Sequence, residues 1–216
     1  MAGALHMAER RPLKSRDRAW AKALASALVR LRVSPNLISL FSIVFAGLAC
    51  AGFLLSSSAL GMQRLVWLVV AAAGIQLRLL CNLLDGMVAV EGKMGSKVGE
   101  IYNDFPDRIA DPLIIVPAGY AIALPALGWA AGLLAVMTAY VRVLGGSMGV
   151  PQDFRGPMAK PHRMAALTIA AIADGVAGLF HWQGRLLAVA LALIVLGTIV
   201  TMARRTARTA RELEAR

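Results

Sequence analysis

Asn82-Leu-Leu-Asp85-Gly86-Met-Val-Ala89-Val90 is followed, eight residues on, by Gly99-Glu-Ile-Tyr-Asn103-Asp104-Phe-Pro-Asp107-Arg108-Ile-Ala-Asp111. The stretch gathers carboxylates and carboxamides at helical spacing inside a chain that is otherwise strongly apolar. Of the 216 residues, 58% are hydrophobic and only 16% are charged. Several runs approach the roughly 20 apolar residues that a bilayer core demands of a helix. The expected fold is therefore an all-α integral membrane protein. Ionisable side chains near a bilayer are costly and mark function by default. Oxygen-only ligands point to a hard divalent cation.

Working outward, residues 16–33 place Trp20, Leu24, Leu28 and Leu31 three and four apart among basic residues. That pattern predicts an N-terminal amphipathic helix lying at an anionic membrane interface. Ser34-Pro35-Asn36 interrupts it, with Asn36 the expected cap of the next helix. Six transmembrane helices are then expected, at about 37–55, 65–90, 98–124, 129–150, 164–180 and 185–202. The chain divides into a basic cytoplasmic tail and juxtamembrane helix (1–36), a catalytic membrane domain (37–202) and a basic tail (203–216). No early apolar core suggests a cleavable leader. Cys50 and Cys81 both sit in apolar runs and read as packing residues.

Eighteen of the 23 Lys and Arg fall on the side of the two termini and the even-numbered loops, against Arg64 and Arg185 opposite. The positive-inside rule then puts both termini and the polar stretch in the cytoplasm, most simply at a bacterial inner membrane. The same rule accounts for the net charge of +11, so no nucleic-acid partner is expected.

Asn82 and Asp85 share one helix face, and Asn103, Asp107 and Asp111 stripe another. The short loop 91–97 is expected to make these helices antiparallel packed neighbours. Gly86 and Gly99 would let their backbones approach or leave room for a ligand. Mg²⁺ commonly binds through a few carboxylates plus substrate phosphates, so a phosphorylated substrate is expected. The competing reading pairs the acids with Arg78, Arg108 or Arg142. An i,i+4 pair is the expected role of Arg108 toward Asp104. A cation transporter would carry its acids at the midplane on broken helices; here they gather at the ends of two helices.

The stretch resembles the motif D-x2-D-G-x2-A-R, eight residues, G-x3-D-x3-D of the CDP-alcohol phosphatidyltransferase family. Asn82, Asp85, Gly86, Ala89, Gly99, Asn103 and Asp107 fall at its spacings, and the Ser-Pro-Asn lead and six-helix plan are similar. The resemblance implies transfer of a phosphatidyl or phospho-alcohol unit from a CDP-linked donor, such as CDP-diacylglycerol, to an alcohol acceptor, with release of CMP. It implies two divalent ions, Mg²⁺ or Mn²⁺, at Asn82, Asp85, Asn103 and Asp107, with Asp107 as general base. It also implies a homodimer among membrane lipids. Gly86, Ala89 and Gly99 would line the donor site. Two family aspartates are Asn here, and the family arginine is Val90. Asp111, one turn past Asp107, is the expected replacement ligand. Arg142 and Arg163, and less so Lys93, Lys97 and Lys160, are candidate phosphate contacts; His162 reads as an interfacial residue. Two other outcomes stay open: a soluble CDP-alcohol donor with a lipid hydroxyl acceptor, or a silent lipid-binding relative.

Overall fold

A computed structural model describes residues 18–93 and 98–215; the side chains of Glu100 and Asn103 also lie outside the described part. The described chain is helical: α1 (Ala19–Arg30), α2 (Pro35–Ser56), α3 (Gly61–Glu91), α4 (Gly99–Tyr120), α5 (Pro125–Ser147), α6 (Lys160–Gly178) and α7 (Arg185–Glu214). Among the described residues, α2, α3, α5 and α7 are long and apolar enough to cross a membrane. Of the other three, α1 is short, and α4 and α6 fall below that combination of length and apolarity. α4 carries the acids and three internal prolines, Pro106, Pro112 and Pro117, each of which removes a backbone donor. α6 opens on Lys160 and Arg163 and buries Asp174.

Helix starts follow local chemistry. Ser34, rather than Asn36, caps α2: its side chain accepts from the Leu37 N–H at 3.3 Å, and Pro35 takes the first helical position. A proline is at home there because that N–H has no intrahelical partner anyway. Pro125 likewise begins α5. α7 runs twelve residues beyond the expected end at 202. Its extension is tied to the 148–159 connection, where Arg205 donates to the Arg155 carbonyl at 3.1 Å and Arg208 reaches Asp153 at 3.2 Å.

The six longer helices close into a ring in the order α2, α3, α6, α7, α5, α4. This order corrects one expectation. α3 and α4 meet only narrowly; α2 packs far more extensively on both. A short connection makes two helices antiparallel but does not oblige them to pack along their length. Gly52 and Gly74 show how close the α2–α3 contact is. A Cβ on Gly74 would come within 2.7 Å of the Ala49 nitrogen and 2.8 Å of the Phe45 carbonyl oxygen. Overpacking such a site costs about 1–3 kcal/mol. Gly74→Val is expected to lower the detergent-solubilised unfolding midpoint without removing any charged group.

The ring interior is apolar through its middle, with Phe53, Leu68, Ile75, Ile114, Met164, Leu167, Leu191 and Ile194 fully buried. α1 packs Ala21 and Ala25 onto the C-terminal part of α3 and leaves Trp20, Leu24 and Leu31 exposed. Its apolar residues therefore form two faces: a small one packed on the protein and a larger exposed one.

Charged groups occupy the two ends of the ring. At the end where α3 and α7 begin, Arg64 donates to Asp174 at 3.0 Å and to the Ser56 and Ala121 carbonyls at 2.8 and 3.1 Å. Asp174 in turn accepts the N–H groups of Gly184, Leu186 and Leu187. Arg64 is thus not the loop cation the sequence suggested. It is a buried clamp that joins α2, α3, α4 and α6, while Asp174 caps α7.

Candidate active site

The opposite end of the ring, where α3 ends and α4 and α6 begin, holds the polar motif. Asp85 lies in the last two turns of α3 and is 4% exposed. One of its oxygens accepts the Ser39 hydroxyl at 2.7 Å, and the other accepts the Gly86 N–H at 2.6 Å. Ser39 comes from the first turns of α2, so the helix that packs on both α3 and α4 also orients the carboxylate. Gly86, Ala89 and Gly99 are partly exposed. Val90 points out, 57% exposed.

Asp107 and Asp111 approach from α4. Arg78 of α3 is fully buried and bonds both through one terminal nitrogen, at 2.9 Å to Asp107 and 2.6 Å to Asp111. Its other two nitrogens are buried without a partner among the described residues. Arg163 of α6 reaches the second oxygen of Asp111 at 3.2 Å and donates to the Met158 carbonyl at 2.8 Å. Asp111 is therefore held between two arginines, both buried. The sequence placed Asp111 among ligands and Arg163 among phosphate contacts; both lie beneath the more exposed groups, as the two parts of one ion pair.

Lys160, at the first turn of α6, reaches into the same space. Its ammonium donates to Asn82 Oδ1 at 2.8 Å and to Asp107 Oδ2 at 2.5 Å. Asp85 lies one turn along α3 from Asn82. Asp107 is the half-buried member of the three acids, with its side chain 13% exposed against 4% for Asp111. The backbone of Asn103 lies in α4 one turn before Asp107, and its side chain falls outside the described residues; Lys97 falls outside as well. Asp104 faces a separate pair of cations. Arg108 reaches it at 2.9 Å, as the i,i+4 spacing predicts, and Arg142 reaches it at 2.5 Å from α5. Arg142 also stands over the Phe154 ring, 5.0 Å from its centre, and donates to Gln152. It thereby braces the segment before α6. His162 is exposed.

Could these residues hold a divalent cation? Among the described residues, no three acidic, His or Cys side chains converge closely enough to bind one alone. The donor chemistry nevertheless fits. Oxygens of Asn82 and Asp107, from two different helices, already converge on a single cation, the Lys160 ammonium. Each carboxylate oxygen of Asp85 and Asp107 has one partner and keeps a second lone pair. Such a site, hard and short of ligands, suits an ion that completes its shell with water and substrate phosphates.

Sequence reasoning gave Arg78 no part in the site beyond that of a candidate partner, and overlooked Ser39. Arg78 had a signal: it lies four residues before Asn82 and seven before Asp85, on the same helix face. Ser39 had none, because its role depends on α2 standing beside α3.

The model of the family described as CDP-alcohol phosphatidyltransferase matches residues 32–203. A comparison with curated proteins finds no match. Among solved structures, the chain is similar to phosphatidylinositol phosphate synthase of Mycobacterium tuberculosis in complex with manganese and citrate. The TM-score is 0.71 and the identity 19%, over 88% of each chain. The same enzyme with CDP-DAG bound gives a TM-score of 0.70 and 19% identity, over 88% of this chain and 92% of that one. At this identity the likeness bears on the fold: the helical arrangement is shared while most side chains differ.

Proposed function

This chain belongs to the CDP-alcohol phosphatidyltransferase family, and we propose that it transfers the phosphatidyl group of CDP-diacylglycerol to the hydroxyl of an alcohol, releasing CMP. The observation that carries the reading is the convergence of Asn82 and Asp107, both at family motif positions, on Lys160 at one end of the ring, with Asp85 one turn from Asn82 along α3. The mycobacterial enzyme of similar fold holds CDP-DAG, which supports the choice of donor.

In the proposed reaction the acceptor oxygen attacks the phosphorus that bears diacylglycerol. A new P–O bond forms, the bond from that phosphorus to the bridging oxygen breaks, and CMP leaves with the electron pair. Asp107 takes the acceptor proton, since it is the acid an incoming hydroxyl reaches first. Arg78 and Lys160 fix its two oxygens by bonds to different helices, so it needs no reorientation in the transition state. Asp85 is locked by Ser39 and by its own helix. Lys160 and Arg142 offer positive charge to the donor phosphates. A divalent ion, Mg²⁺ or Mn²⁺, held by Asn82, Asp85, Asn103 and Asp107, would draw charge from the pyrophosphate and make CMP a better leaving group.

All six helices of the ring are proposed to span the bilayer, with α4 and α6 shielded by their more apolar neighbours. The basic asymmetry supports a cytoplasmic site and cytoplasmic termini, and a homodimer is carried with the family reading. The test is CMP release by the full-length protein in detergent or nanodiscs, screened over inositol phosphate, glycerol phosphate, serine and lipid hydroxyls, with the product lipid weighed. Release is expected with Mg²⁺ or Mn²⁺ and is expected to stop with EDTA. Persistence in EDTA would sink the mechanism. Release from a soluble CDP-alcohol instead of CDP-diacylglycerol would reassign the donor.

A further inference from the structure

Six charges of the motif cluster are matched in number before any ligand is considered. Asp85, Asp107 and Asp111 are answered, among the described residues, by Arg78, Lys160 and Arg163. The three cations are not equivalent. Arg78 and Arg163 are buried beneath the acids and serve Asp111. Lys160 stands at the accessible edge, between Asn82 on α3 and Asp107 on α4. One of the residues it bridges is a neutral amide at a position where the motif has a carboxylate. An ammonium, like a metal ion, gathers oxygens from separate helices, and it does so without demanding anionic ligands.

We propose that the Lys160 ammonium takes the place of one of the two divalent cations, so that the site binds a single divalent ion beside a tethered positive charge. The inference rests on the reading of this end as the pyrophosphate site and deepens it. Two divalent ions added to these six charges would leave an excess of four positive charges in a low-dielectric site. One divalent ion leaves two, which the donor pyrophosphate offsets. Asn82 is then suited to its neighbour: a carboxylate there would attract a second ion into competition with Lys160, while the amide oxygen accepts the ammonium hydrogen without added charge. The tether also explains why α6 begins at Lys160. Ala159 is the cap residue and Pro161 sits in the first turn, so the Lys160 stem is held by a stiff start, and Arg163 anchors the same turn to Asp111.

The test counts ions rather than turnover. Full-length protein in nanodiscs is titrated with Mn²⁺ in the presence of CDP, and free Mn²⁺ is read by electron paramagnetic resonance. One bound Mn²⁺ per chain is expected; two, or none, overturns the inference. The double variant Asn82→Asp/Lys160→Ala is expected to bind two, because the carboxylate returns and the tethered competitor is gone. A folded double variant that still binds one also overturns it. If the double variant does not fold, Lys160→Met serves: its Mn²⁺ affinity is expected to rise by about tenfold as the competing charge leaves, and an unchanged affinity counts against the proposal. CMP release from CDP-diacylglycerol is scored on the same preparation. Its failure with every acceptor removes the proposed reaction and leaves the ion count standing as a separate result.

Discussion

Asp107→Ala is expected to reduce CMP release by ~10³-fold or more, with the protein still folded. General-base assistance contributes about 10²–10⁴-fold, and this residue also joins the Lys160 and Arg78 cations. Asp85→Ala should fall in the same range, although Asp85 takes no proton. It removes the α3 carboxylate and leaves the Ser39 hydroxyl without its acceptor. The pair separates chemistry from binding. For Asp107, kcat should fall by more than the accompanying loss of Mn²⁺ affinity accounts for. For Asp85, the loss should follow the fall in Mn²⁺ affinity. Release rates within tenfold of wild type in either variant would remove that residue from the mechanism.

Asp111→Ala is expected to fail by a different route, through loss of folded protein. Its two oxygens answer Arg78 and Arg163, both nearly devoid of solvent. Removing one partner of a buried ion pair costs about 3–5 kcal/mol, because the remaining charge stays buried. Here Arg163 would lose its only described acid and Arg78 would keep Asp107 alone, with two nitrogens already without a described partner. The measurement is the unfolding midpoint of the solubilised protein, set beside Asp104→Ala as a control. Asp104 is 40% exposed at its side chain, and surface pairs of that kind are worth about 0–1 kcal/mol. Asp111→Asn should recover part of the stability, since the amide oxygen still accepts from one arginine. A large loss of activity in Asp111→Ala at an unchanged midpoint would instead return Asp111 to the role of metal ligand that its spacing suggested.

These two predictions show where sequence and structure part. The i,i+4 stripe of Asn103, Asp107 and Asp111 is legible because helical spacing is local, and α4 does present Asp107 and Asp111 toward a common partner. Spacing alone does not say whether such a stripe meets a metal or an arginine. The partner, Arg78, comes from α3, a helix that meets α4 only narrowly, and which groups face each other follows from the order of helices in the ring. Lys160 is a sharper case: it lies 78 residues from Asn82 along the chain, and its basic loop reads from sequence as an ordinary cytoplasmic connection. Arg64 was misplaced for a related reason. Counting it as a loop cation assumes that charge near a helix start faces water, whereas Asp174 of α6 draws it inward.

By itself, the sequence determined the apolar helices, their approximate ends and the family motif, because apolar run length, proline placement and residue spacing are properties of neighbouring residues. The tertiary structure alone decided that α2 packs on both α3 and α4 while those two meet only narrowly, that Asp111 belongs to a buried arginine pair, and that Lys160 stands among the oxygens of the motif. Those outcomes depend on helix packing around a closed ring and on the cost of burying unpaired charge, and both are settled only when all six helices are in place.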